Sequence, residues 1–154
     1  MKIINSFIAF TATIALFAIM PAKSVFAQEN PKLSDAEVAS VAVVANQIDI
    51  SYGEIAKKKS KNEDILKFAE TMISDHNAVI AQAAALAQKL GVTPKDNAVS
   101  QKLLADAEKT KKMLRSKSGK AFDKAYIDNE VDYHKAVIAA VEGLLIPETD
   151  NGEL

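Results

Sequence analysis

Apolar residues recur along this chain at alternating three- and four-residue intervals, and that regularity restricts what it can fold into. From Asp35 to about Lys59 the run is Val38, Val41, Ala45, Ile48, Tyr52 and Ile55. A repeat close to 3.5 residues sets all six on one helical seam, which is stable in water only when other helices cover it. Ser34, three residues before Glu37, supplies the capping-box signature for the start of that helix. A second helix is predicted from about Asn62 to Leu90, with Ile65, Phe68, Met72, Val79, Ala83, Leu86 and Leu90 on its seam and His76 one step beyond Met72. Gly91 and Pro94 then stop it.

The connection from 92 to 118 holds a shorter helix, about Val99 to Leu114, and ends in the basic stretch Arg115 to Lys120. A third long helix is predicted from about Gly119 to Leu145, with Pro147 closing it. It carries two stripes: Phe122, Tyr126, Tyr133, Val137, Val141 and Leu144, and beside them Ile127, Val131, His134, Ile138 and Leu145. A double stripe predicts burial on a wide face. The class is therefore all-α, an up-down bundle of three long helices and one short one. The absence of Trp and the abundance of Ala and Lys agree with it.

The N-terminus follows a different rule. Met1-Lys2 precedes an apolar stretch from Ile3 to Met20, then Pro21 and Val25-Phe26-Ala27 before Gln28. That is the layout of a secretory signal peptide cleaved after Ala27. The stretch is too polar, and too soon broken by proline, for a lasting membrane span. The organisation expected is a signal peptide over 1–27, a short linker over 28–34, the bundle over 35–146 and a tail over 147–154. The chain has no Cys, which excludes a lipidated anchor, disulfides, thiolate metal sites and thiol nucleophiles. Cleavage would remove Lys2 and Lys23 and no acid, taking the net charge from −1 to −3. No nucleic-acid partner is expected of so acidic a chain.

Both histidines of the chain fall on apolar stripes. At 1.5 Å per residue, His76 and His134 each lie roughly 21 to 22 Å from the start of their helices, and Asp49, flanking the first seam with Asn46 and Gly53, lies roughly 20 Å along its own. One layer of the bundle can hold all three. Glu130, four residues before His134, shares its face. Imidazole and carboxylate groups converging inside a bundle can replace the water around a divalent transition metal. They can equally form a structural layer in which His76 and His134 bond to Asp49, Tyr126 or Glu130. The metal set to test is His76, His134, Asp49 and Glu130. No catalytic residue is assigned: Ser40, Ser51, Ser60 and Ser74 lack the turn context of a nucleophile elbow.

The pattern Asn46, Asp49, Ile50, Gly53, Ile55 and Ala56, then Phe68, Ala69, Met72, Asp75 and His76, then Gly119, Phe122, Asp123, Tyr126 and His134 resembles the domain-of-unknown-function 4142 family. The resemblance spans nearly all of 35–154. It implies a ferritin-like four-helix bundle exported to the bacterial envelope, usually the periplasm, and no assigned reaction. Members usually have Glu where this chain has Asp49, and they continue into a final His-bearing helix beyond the point where this chain stops at Leu154. By that comparison a fourth long helix is missing, and a homodimer or another helix donor is expected to fill the groove left open. Paired-iron chemistry is not expected, because Ile73 and Val131 stand where two Glu-x-x-His motifs would need Glu. The sequence points first to a non-enzymatic binding or stress-related envelope bundle, and second to a metal-binding protein.

Overall fold

A computed structural model describes residues 32–154 of the protein. The signal-peptide segment 1–27 and most of the linker lie outside the described residues. Four helices follow one another: α1 (Asp35–Lys59), α2 (Glu63–Leu90), α3 (Ala98–Arg115) and α4 (Gly119–Ala140). Among the described residues there is no strand.

Several boundaries have a local cause. The Glu37 carboxylate accepts from the Ser34 backbone N–H at 3.0 Å and from its hydroxyl at 2.8 Å, closing the start of α1. Asn62 accepts from Asp64 N–H to begin α2. Gly91, at φ 66°, ends that helix in a left-handed turn in which Val92 N–H reaches back to the Ala87 carbonyl at 2.9 Å. That turn costs glycine little because it has no Cβ. Asn97 begins α3 by accepting from Val99 and Ser100 N–H groups.

Helices α1 and α3 end where α2 and α4 begin, and Lys59 of α1 donates to the carbonyls of Arg115 and Lys117 to tie those ends together. At the opposite end Lys95 N–H bonds the Ala36 carbonyl, and Asp35 accepts from Thr149 and Asp150. The arrangement is up-down-up-down, with α1 packed against all three partners. Tyr52, Ile48 and Ala56 of α1 meet Ala69 of α2, Ala107 and Leu114 of α3, and Phe122 and Tyr126 of α4 in the main core. A smaller cluster of Leu33, Val38, Val41 and Leu145 closes the other end.

Three expectations need correction. The seam of α2 against α1 runs through Ile65, Ala69 and Ala87, whereas Val79 is 44% exposed. Gly53 is the cause: a Cβ there would sit 2.9 Å from Ile73 Cγ1 and 3.2 Å from the Ala69 carbonyl, so the two backbones approach where side chains are small. The second stripe of α4 is not wholly covered, because Val131 and Ile138 are 47% and 56% exposed and face no packed helix among the described residues. Regular α-helix also ends at Ala140, earlier than Leu145. A π-helical turn over Val141–Leu145 and a last turn over Ile146–Glu148 follow it. The wider turn advances the register so that Leu145 reaches the end cluster.

Candidate metal centre

The layer inferred from helix heights exists. Asp49 is completely buried in the middle of α1. The His76 Nε2 atom on α2 stands 3.5 Å from Asp49 Oδ2, and the His134 Nε2 atom on α4 stands 3.6 Å from that same oxygen. The three donor atoms lie within 4.8 Å of one another, and the imidazole rings are 5.6 Å apart between centroids. Three helices thus each contribute one group, and α2 and α4 also meet directly through Phe68 and Tyr126, whose rings lie edge-on at 6.1 Å.

The tautomers follow from the surrounding hydrogen bonds. Asn46 donates its amide N–H to the Ala42 carbonyl at 2.8 Å, which fixes its amide oxygen toward His76. His76 Nδ1–H therefore donates to Asn46 Oδ1, at 2.7 Å, and in the neutral imidazole its Nε2 carries the lone pair. His134 Nδ1–H donates to the Glu130 carbonyl at 2.8 Å, with the same result. Both lone pairs face Asp49. At 3.5 and 3.6 Å these contacts are too long to be well-formed hydrogen bonds, and neither Asp49 oxygen receives one from any protein group. Around an ion with bonds of about 2.0–2.1 Å, neighbouring donors lie about 3.3 Å apart. The observed separations suit that geometry better than they suit a direct hydrogen bond.

Glu130 stands beside the cluster rather than among its three converging donor atoms. It is 2% exposed, and its Oε2 lies 4.0 Å from His134 Nδ1, the nitrogen already committed to the backbone. Burial, reinforced by the neighbouring Asp49 carboxylate, pushes the Glu130 carboxyl up to about 9. Burial also raises Asp49, while His76 and His134 oppose that shift. Burial of the two acids side by side favours their protonated forms, and a cation beside them would displace that protonation. The Glu130 oxygens and the Tyr126 hydroxyl also lack hydrogen-bond partners. Tyr126 was one of the expected bonding partners of the histidines in a purely structural layer, and its hydroxyl does not take that part.

The space is small. A cavity of about 30 Å³ is bounded by Asp49, His76 and His134 together with Ala45, Asn46, Tyr133 and Val137. One water needs roughly 10–15 Å³ of such space, so the cavity has room for an ion with a small ligand and too little for a larger organic molecule. Asn46 and Tyr133 complete the shell and were not assigned to the site from sequence. Tyr133 packs edge-on to Tyr52 at 5.5 Å and donates its hydroxyl to the Ala45 carbonyl at 2.8 Å, holding α4 to α1 at this height. The available signal for Asn46 was its position one helical turn before Asp49.

Over residues 20–154 the sequence matches the family described as Domain of unknown function (DUF4142). The chain belongs to that family. Its description assigns no activity, and the matched segment contains all four helices and every residue of the candidate centre. No curated protein and no solved structure matches the chain.

Proposed function

We propose that this member of the family is a metal-binding bundle, holding one divalent transition-metal ion between Asp49, His76 and His134 with Glu130 as the adjoining carboxylate. The observation that carries the proposal is the convergence of two imidazole Nε2 atoms on one buried carboxylate oxygen that has no hydrogen-bond partner of its own. A buried carboxylate left without donors costs several kcal/mol unless a cation or a proton compensates it. Two imidazoles and a carboxylate suit zinc, iron or copper better than magnesium or calcium, which prefer oxygen donors throughout. Three protein donors leave coordination positions free for water or a small anion, so the set resembles an open site more than a closed structural one. Nothing assigns a substrate, and binding remains the function proposed.

The test is the metal content of untagged full-length protein, measured by plasma mass spectrometry and followed by titration of the metal-stripped form. One equivalent of zinc, iron or copper is expected in the parent and less than about a tenth of that in His76→Ala and His134→Ala. Protein that neither carries nor takes up a transition metal, while remaining folded, would leave a purely structural layer as the function of these residues.

The same proposal places the protein outside the cytoplasm, supported by the segment from Met1 to Ala27. Amino-terminal sequencing of the mature protein should begin at Gln28. A second copy as helix donor is supported by the exposed Val79, Val131 and Ile138 beside the two histidines. Sedimentation equilibrium should then give twice the monomer mass.

A further inference from the structure

The cations of this protein are unevenly placed. Lys32, Lys89, Lys95 and Lys102 sit toward the end where α1 and α3 begin, and each is paired with an acid: Asp150, Glu153, Glu37 and Asp106 respectively. At the opposite end, Lys58, Lys61, Lys112, Arg115 and Lys120 are exposed, and none has an acidic partner among the described residues. The bonds from Lys59 to the Arg115 and Lys117 carbonyls draw the α1 and α3 termini together, so these charges share one face.

Helix stability explains only part of this. Lys58, Lys112 and Arg115 stand near helix C-termini, where positive charge offsets the helix dipole. Lys61 and Lys120 stand at the starts of α2 and α4, where the dipole opposes them, and the first turn of α4 contains no acid. Those two lysines raise the local potential without serving their own helices. Glu63 and Asp64 at the start of α2, Asp123, bonded to the Ser60 hydroxyl, and Glu108, paired with Lys111 and near Arg115, are acids toward this face. They leave an excess of positive charge around a hollow of about 530 Å³ lined by Lys59, Lys61, Lys120 and the Asp123 carboxylate, with Asn62, Ser118 and Gly119.

We infer that this basic pole docks the bundle end-on against a bilayer containing anionic phospholipid, with headgroup phosphates meeting Lys61, Lys112, Arg115 and Lys120. No described helix is long and apolar enough to cross a membrane, so the contact is peripheral. Met113, 37% exposed between Lys112 and Leu114, adds an apolar side chain at the rim. A lipid surface fits better than a nucleic acid, because the face is compact, is interrupted by carboxylates, and presents no exposed aromatic side chain on which a base could stack. Several unpaired cations on a small face are enough for electrostatic attraction to an anionic leaflet. This inference is independent of metal binding.

Vesicle sedimentation of the full-length chain tests it, comparing phosphatidylcholine alone with phosphatidylcholine containing a quarter phosphatidylglycerol, at low and high salt. The N-terminal segment, with its own Lys2 and Lys23, is common to every variant, so the change in lipid preference between variants reports the charges of the pole. Anionic vesicles should bind the parent chain more strongly, and salt should erase the preference. Neutralising one of these cations, as in Lys61→Gln, should lower the anionic partition coefficient by roughly fivefold, and reversing its charge should lower it further. The combined Lys61→Glu, Lys112→Glu, Arg115→Glu and Lys120→Glu variant should lose the preference while keeping the parent's circular dichroism and melting curve. Lys95→Glu with Lys102→Glu, toward the other end, should retain it. An anionic preference that survives in the fourfold variant overturns the inference, as does its absence from the parent. Binding to heparin or duplex DNA that exceeds binding to anionic vesicles also overturns it.

Discussion

At the scale of single residues, the candidate centre depends on side chains that do not converge on the shared oxygen. Asn46 holds His76 in one tautomer because its own amide is oriented by the Ala42 carbonyl. Asn46→Ala should weaken metal binding by about 10–100-fold, the usual cost of losing such an outer partner, and leave the helix content unchanged; competition with a chromophoric chelator measures it, and an unaltered affinity would remove Asn46 from the site. Asp49→Asn separates the demands of folding from those of binding. It removes a buried charge with no hydrogen-bond donor, so the metal-free variant should melt no lower than the parent, and up to about 2 kcal/mol more stably. It should nonetheless lose the ion. A metal-free variant that melts well below the parent would show that the carboxylate serves the fold. The spacing of His76, His134 and Asp49 made their common height legible. The role of Asn46 was not, because a hydrogen bond across two helices leaves no periodic trace.

At the scale of elements, the ends of α1 and the contact between α1 and α2 carry the sharpest expectations. Glu37 is held well below the ordinary carboxylate range, to about 2, first by the Ser34 backbone N–H, then by the Ser34 hydroxyl, then by Lys95. A lowered carboxylate contributes stability above its unfolded value near 4.5, and that contribution disappears as pH falls toward 2. The midpoint of thermal unfolding should therefore drop between pH 5 and pH 2, and Glu37→Gln should drop less across that interval while starting lower at pH 6. Gly53 makes a different prediction. Gly53→Ala forces its Cβ against Ile73 and the Ala69 carbonyl, so it should cost about 1–3 kcal/mol by urea denaturation. Displacing α2 should weaken metal binding too, although residue 53 touches no donor atom; unchanged stability would mean that α1 and α2 have slack at this crossing. The seam of α1 was readable because it faces partners on several sides. The expected α2 seam holds at Ile65 and Phe68, which pack in the main core, but it misplaced Val79 and omitted Ala69, which the close approach permitted by Gly53 favours as a small side chain.

At the scale of the whole molecule, the candidate centre joins α1, α2 and α4, so an ion bound there stabilises the native fold by mass action. Free metal at a hundred times its dissociation constant should add about 2.7 kcal/mol, read as a rise in melting temperature that a chelator reverses. A melt indifferent to metal at concentrations that saturate the protein would contradict a site built across three helices. Net charge alone suggested an acidic chain with no nucleic-acid partner, yet folding brings Lys58 and Lys61 beside the basic stretch Arg115 to Lys120 at one pole. The sequence by itself determined the helical class, the helix boundaries to within a few residues, and the shared height of His76, His134 and Asp49, because helical rise and periodicity are local properties of the chain. It also carried the family pattern that the comparison bears out. Only the tertiary structure decided which nitrogen each histidine presents, that Glu130 stands beside the donor atoms, that Val131 and Ile138 stay exposed, and that the cations gather at one end. Those features depend on which helix faces lie against one another, and that is set by small residues at crossings such as Gly53 and Ala69 rather than by the repeat that produces the helices.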